Sequence, residues 1–234
     1  MKALIFAAGL GERMRPLTEH TPKPLLHAGG LRLIEWHLQR LAALGIREVL
    51  VNTSWLAEQF PQSLGDGQRW GLRITYLFEG DTPLETGGGM LNALPVLGDA
   101  PFLAVNGDIW SDFDFARLPH EPDGDAHLVM VDNPAHHPHG DFVLDRDGRL
   151  HATSDAERLT FAGIGVYRPQ LLQDWRDIIA AAPGSEATPP RFKIVPLLKA
   201  AMARDAISAE HHPGHWTDVG TPQRLQQLDL QLRG

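Results

Sequence analysis

The feature that most limits what this chain can become is its opening, "MKALIFAAGLGERMRPLTEHTPKPLL", in which an apolar run from Ala3 to Ala8 ends in a loop of glycines, cations and prolines. A short apolar run of this kind reads as a buried strand. Gly9 and Gly11 follow it directly, and a residue without a Cβ lets backbone N–H groups come close to an anion. Arg13 and Lys23 add positive charge, while Pro22 and Pro24 hold the lysine's backbone extended. The strand end and its loop predict a binding edge for an anion such as a triphosphate. Two familiar phosphate motifs are excluded by position: a dinucleotide fingerprint needs a small residue where Met14 stands, and this loop has no Gly-Lys-Ser/Thr of a P-loop.

The pattern after the loop alternates. Leu33 to Leu44 reads as an amphipathic helix ended by Gly45, and "REVLVNTS" as a second strand, which together make a βαβ unit. A short helix from Trp55 to Phe60, a strand "LRITYLF", a helix starting near Thr86 and a strand "FLAVNGD" continue it. This predicts an α/β, Rossmann-like fold with a mixed, mostly parallel sheet covered by helices. Beyond Asp108, "HLVMVD", "DFVLD", "RLHATS" and "LTFAGIGVY" predict short strands in a small antiparallel addition. "AAPGSEATPP" reads as a mobile loop, and "FKIVPLLKAAMA" and "PQRLQQLDLQL" as helices. With no internal repeat, residues 1–234 are expected to form a single domain.

The 21 Lys and Arg against 29 Asp and Glu give a net charge of -8, which argues against a nucleic-acid partner and makes the cationic loop a local exception. The absence of cysteine removes disulfides, thiolate metal sites and cysteine nucleophiles and fits a reducing compartment. No apolar run approaches the ~20 residues of a membrane span. A cytoplasmic protein with no membrane partner is therefore expected. Oligomeric state is left open. The histidine clusters "HHPHG" and "HHPGH" sit in proline-broken loops that do not preset metal geometry, and read as solvated or rim residues.

Two carboxylates stand out. Asp108 ends a predicted strand at the edge where open α/β sheets bind ligands, and Asp218 lies in "GHWTDVGTPQRL" before a Gly-Thr-Pro helix start. On the residues alone, an aspartate at such a place is more often a turn residue, and Asp218 too reads as a turn position. The long stretch "AAGLGERMRPLTEHTPKPLL", however, resembles the signature of the sugar-1-phosphate nucleotidyltransferases, with Glu12 where the family usually has threonine. The resemblance implies a nucleotide-diphospho-sugar transferase fold acting on UTP and a sugar-1-phosphate. It implies that Ala8, Gly9, Gly11, Glu12, Arg13 and Lys23 bind the nucleotide, that Arg13, Lys23 and Asp108 are catalytic, and that Asp108 and Asp218 hold Mg²⁺.

In "EGDTPLETGGGM", the family's base-recognition loop, the resemblance implies a helix start from Thr86 to Gly89, with Gly88 among its members, whose free N–H groups face the nucleotide. Glu79 or Glu85 would accept from a base N–H, and residue chemistry alone does not choose between uracil and guanine. Residues 1–110 would form a nucleotide-binding half and 111–234 a sugar-binding half. In the latter, Gly140, together with Asn106, would meet the sugar phosphate, Asp155 or its neighbours the sugar hydroxyls, and Gly163 an acyl-amino group; Lys193 is the candidate cation for the sugar or phosphate end. The segments "PLETGGG", "VNGDIWSDFDFARL", "VDNPAHHPHGDF", "FKIVPLLKAAM" and "GHWTDVGT" resemble, more narrowly, the uridylyltransferases of this family that act on N-acetylmuramate-1-phosphate in cell-wall recycling. The rival expectations are uridylyl or guanylyl transfer to another sugar, such as N-acetylglucosamine- or mannose-1-phosphate, and a non-catalytic nucleotide-sugar sensor.

Overall fold

A computed structural model describes residues 1–153, 156–180 and 182–234. The first half contains β1 (Lys2–Phe6), the hairpin β2 (His27–Ala28) and β3 (Leu31–Arg32), α1 (Leu33–Ala43), β4 (Glu48–Thr53), α2 (Gln59–Leu64), β5 (Arg73–Phe78), α3 (Glu85–Leu97) and β6 (Phe102–Asn106). The second contains β7 (Ile109–Ser111), β8 (Ala126–Val131), β9 (Val143–Leu144), β10 (Leu150–His151), β11 (Thr160–Tyr167), α4 (Trp175–Ile179), α5 (Val195–Met202), β12 (Ile207–His212), β13 (Trp216–Asp218) and α6 (Pro222–Arg233).

Seven strands form one sheet in the order β12-β8-β11-β6-β1-β4-β5. It continues across both halves of the chain. β1, with Ala3, Leu4 and Ile5 fully buried, lies at its interior, parallel to β4 and β6. Successive side chains of a strand face opposite sides of the sheet, so the apolar runs feed two cores at once. Ile5, Val49, Val51, Leu103 and Val105 pack with Ile34 and Leu38 of α1. Leu4, Leu50, Phe102 and Ala104 pack with Met90 and Ala93 of α3 and with Leu197 and Leu198 of α5.

The expected small antiparallel addition is present, with β9 and β10 pairing as an antiparallel ribbon, but not every strand expected in it belongs there. β8, β11 and β12 are members of the main sheet, and only β11 runs against its neighbours, β6 and β8. The separate antiparallel pieces are the two-stranded ribbons β2-β3, β9-β10 and β7-β13. β12, "ISAEHH", escapes sequence reading because this edge strand carries Glu210 and two histidines. Their partners lie on distant segments: His211 pairs with Asp132 at 2.9 Å and His212 with Asp112 at 2.7 Å. The short helix expected from Trp55 to Phe60 sits later, at Gln59–Leu64, after a left-handed Leu56 at φ 50°. Residues 182–190 hold no regular element, but Ser185 N–H donates to the Ala182 carbonyl and Arg191 N–H to that of Gly184.

Candidate active site

The C-terminal ends of β1, β4 and β6 converge on one edge of the sheet. From β1 the chain enters the glycine loop, where Gly11 adopts φ 66° and its carbonyl accepts the Thr18 hydroxyl at 2.8 Å. A Cβ on Gly11 would lie 2.9 Å from Thr18 Cγ2, so both conformation and packing require glycine there. Asn52, at the end of β4, anchors the loop from below: its Oδ1 accepts Ala7 N–H at 2.7 Å and its Nδ2 donates to Glu79 Oε1 at 2.8 Å. Glu79 Oε2 accepts Leu84 N–H at 2.9 Å. Burial pushes the Glu79 carboxyl above its ordinary range, against the opposing pull of these hydrogen bonds from Leu84 and Asn52.

Asp108 follows β6 in a turn whose Gly107 N–H donates to the Phe6 carbonyl at 2.8 Å. Its Oδ2 receives Lys23 Nζ at 2.5 Å. β13 then pairs antiparallel with β7, setting Asp218 opposite Ile109, and Val219 N–H donates to the Asp108 carbonyl at 2.8 Å. The two carboxylates are thereby made neighbours. Asp218 Oδ1 is held by His136 Nε2 at 2.8 Å and by Arg224 from the first turn of α6, which Thr221 caps by accepting Arg224 N–H.

Two cavities adjoin across Asn106 and Asp108. One, of about 430 Å³, is lined by Ala8, Gly9, Gly11, Lys23, Asn52, Glu79, Glu85, Thr86 and Arg191 among others. The other, of about 390 Å³, is lined by Arg13, His136, His137, Phe161, Trp216 and Asp218 among others. Arg13 and Glu12 also border the outer side of the glycine loop. Asp108 and Asp218 are hard oxygen donors, the kind Mg²⁺ takes one or two of while completing its shell with phosphate oxygens and water. No set of three or more His, Cys, Asp or Glu among the described residues is placed to hold a metal. A donor pair of this kind fits an ion shared with a phosphate substrate.

A family model described as nucleotidyl transferase matches residues 2–233. This chain belongs to the nucleotidyl transferase family. It is 45% identical to the N-acetylmuramate alpha-1-phosphate uridylyltransferase of Neisseria meningitidis serogroup B, covering 97% of this chain and 96% of that protein. It is 32% identical to the mannose-1-phosphate guanylyltransferase of Mycobacterium tuberculosis, covering 94% of this chain but 61% of that protein. Its fold matches a Bacillus anthracis protein assigned as a glucose-1-phosphate thymidylyltransferase and solved with sucrose, at TM-score 0.81 and 21% identity, over 100% of this chain and 95% of that one.

The sequence-predicted residues divide between those that line these cavities and those that do not. Ala8, Gly9, Gly11, Glu12, Arg13, Lys23, Glu79, Glu85, Thr86, Asn106, Asp108 and Asp218 all line the cavities around the glycine loop and the carboxylates. Gly88 does not. The N–H groups of Gly87 and Gly88, expected to face the nucleotide, both donate to the Phe192 carbonyl at 3.0 Å. Gly87 and Gly88 make room for the 190–192 segment, since a Cβ on Gly88 would fall on the Pro190 carbonyl oxygen, whereas a Cβ on Gly89 would lie 2.6 Å from Glu79 Oε1.

Glu79 and Glu85, left open by the sequence, are separated by their partners. Both Glu79 oxygens are committed to Asn52 and Leu84. Glu85 stands exposed at the rim with φ 63°, a strained conformation for a residue with a Cβ. Gly163, at φ 75° within the irregular stretch of β11, serves Asn106: a Cβ there would lie 2.5 Å from Asn106 Nδ2. Gly140, at φ 57°, packs on Asn133 and Arg158 and lines neither cavity. Lys193 is exposed and also outside both. Asp155 lies outside the described residues. Sequence reasoning missed Asn52, Arg191 and Arg224, while His136, from the histidine cluster read as solvated or rim residues, lines the cavity of Asp218. Of those missed, only Asn52 carried a local signal, a polar side chain closing an apolar strand at the ligand edge.

Proposed function

We propose that this nucleotidyl transferase moves a uridylyl group from UTP to N-acetylmuramate-1-phosphate, giving UDP-N-acetylmuramate and pyrophosphate in peptidoglycan recycling. The observation that carries the reading is the meeting of Lys23, Asp108 and Asp218 beside the glycine loop. The choice of sugar and base rests on the near full-length identity to the Neisseria relative. The mannose-1-phosphate relative is less similar and longer, which disfavours guanylyl transfer to mannose.

The substrates need no protein base, because a sugar phosphate is already an ionised oxygen nucleophile at neutral pH. One of its oxygens bonds to the α-phosphorus of UTP, the bond from that phosphorus to the bridging oxygen breaks, and pyrophosphate leaves with the electron pair. The protein's work is positioning and charge neutralisation. The loop from Ala8 to Glu12 cradles the triphosphate with its backbone, while Arg13 and Lys23 neutralise the departing pyrophosphate. Asp108 keeps the lysine in register. Asp108 and Asp218 would hold Mg²⁺, which when bound offsets the repulsion between the two phosphates. Residues 1–110 form the nucleotide half and 111–234 the sugar half, and the reaction takes place in the cytoplasm.

The test is pyrophosphate release by purified protein with Mg²⁺, across five nucleoside triphosphates and several sugar-1-phosphates. UTP with N-acetylmuramate-1-phosphate is expected to give the highest kcat/KM. Faster turnover of GTP with mannose-1-phosphate, or none with any pair, would overturn the reading.

A further inference from the structure

Arg191 is the cation of the larger cavity that the reaction above leaves without a role. Lys23, the other cation lining it, is paired with Asp108. Among the described residues no carboxylate pairs with the Arg191 guanidinium, although Glu79, Glu85 and Asp108 line the same cavity. The side chain is half-buried and held from behind: its backbone N–H donates to the Gly184 carbonyl at 2.9 Å, and a Cβ on Gly184 would lie 3.0 Å from Arg191 Nε. The next residue, Phe192, stacks on Trp175 at 4.9 Å and closes the start of α3 with its carbonyl. Arg191 is thus fixed on a well-packed segment, in an acidic protein, with its charge unanswered among the described residues.

Its place in the cavities narrows the anion it serves. Arg13 borders the outer loop cavity and the cavity of Asp218, whereas Arg191 borders neither. The two arginines therefore face different groups. The triphosphate and the reacting phosphate are already matched by the glycine loop, Arg13, Lys23 and the paired carboxylates. We propose that Arg191 reads the lactyl carboxylate of the sugar and so sets the preference for a muramic-type substrate, an assignment that rests on the proposed function. The planar guanidinium fork suits two parallel hydrogen bonds to a carboxylate. Lys193, the cation that sequence offered for the sugar or phosphate end, is two residues on, exposed and not among the residues lining this cavity.

The experiment measures kcat/KM with UTP for N-acetylmuramate-1-phosphate and for N-acetylglucosamine-1-phosphate, which lacks only the lactyl group. It compares the wild type with Arg191→Ala and Arg191→Lys. In Arg191→Ala, kcat/KM for the muramate is expected to fall by about ten- to a hundredfold, mostly through KM, the size expected for losing one charge-assisted hydrogen-bonded pair. Turnover of the N-acetylglucosamine substrate and KM for UTP are expected to stay near wild type, which also controls for folding, and Arg191→Lys should recover part of the loss. A wild-type preference that survives Arg191→Ala overturns the assignment alone. An equal loss on both sugars, or a raised KM for UTP, also overturns it, because the arginine then serves a group common to both reactions. A wild type indifferent to the lactyl group overturns the substrate reading and this assignment with it.

Discussion

Gly88→Ala separates a helix-propensity argument from a packing argument by the sign of its effect. In an exposed helix, alanine in place of glycine stabilises by about 0.8–1 kcal/mol. At Gly88 the new Cβ falls on the Pro190 carbonyl oxygen and within 3.3 Å of Arg191 Cα. Backbone atoms cannot rotate away as a side-chain tip can, so the 190–192 segment must move. Overpacking of this kind costs about 1–3 kcal/mol. The movement also strains the bonds from Gly87 and Gly88 N–H to the Phe192 carbonyl, which contribute about 1 kcal/mol each. Set against the propensity gain, the net expectation is a loss of roughly 1–4 kcal/mol. The assay is equilibrium urea unfolding, read as a lowered midpoint at an unchanged slope. Because Arg191 is carried by the displaced segment, discrimination between the two sugar phosphates should weaken in the same variant. A midpoint equal to or above wild type would refute the packing argument.

The remaining predictions concern charge. Asp108→Asn or Asp218→Asn is expected to remove turnover at ordinary Mg²⁺ with the fold retained by circular dichroism, since losing one preorganised electrostatic group costs roughly 3 kcal/mol of transition-state stabilisation; near-normal activity in both would refute the metal assignment. Lys23→Ala should lower kcat far more than it weakens sugar-phosphate binding, separable by steady-state kinetics and calorimetry; the reverse pattern would assign the lysine to the sugar side. His37 is fully buried under the site, with Nε2 2.9 Å from the Ile109 carbonyl, and burial aided by the Arg40 cation lowers its pKa to about 4. Its folded pKa lies below the unfolded value of about 6.5, so the unfolded chain binds the extra proton first and stability falls as pH drops from 6.5 towards 4, by about 2 kcal/mol at pH 5. His37→Gln, which can still donate to Ile109, should flatten that part of the profile in urea titrations at pH 7 and 5; an unchanged profile would refute the assignment.

What the sequence determined by itself was whatever short-range patterning encodes. The apolar run of β1, the glycines after it and the proline-flanked Lys23 specify a strand and the loop that follows it through local dihedral preference and burial, and strand and loop both appear where expected. Asp108 was placed by its position at the end of an apolar strand, but its role came only from the family resemblance, because local pattern alone reads it as a turn residue. The tertiary structure decided which groups meet. Asp218 becomes a neighbour of Asp108 only because β13 lies along β7, a pairing between distant segments that no local pattern announces. The glycine-rich start of α3 looked like a ligand cradle until Phe192, about a hundred residues on, supplied the carbonyl that takes the N–H groups of Gly87 and Gly88. Glu79 and Glu85 looked equivalent until Asn52 and Leu84 took both oxygens of one of them. Arg191 was invisible for the same reason: a lone arginine in a proline-rich stretch has no period, and its cavity is built by the elements around it. Hydrogen-bond donors and charges are satisfied by whatever lies within about 3 Å, and in a sheet assembled from both halves of a chain that distance is set by strand pairing and helix packing, not by proximity in sequence.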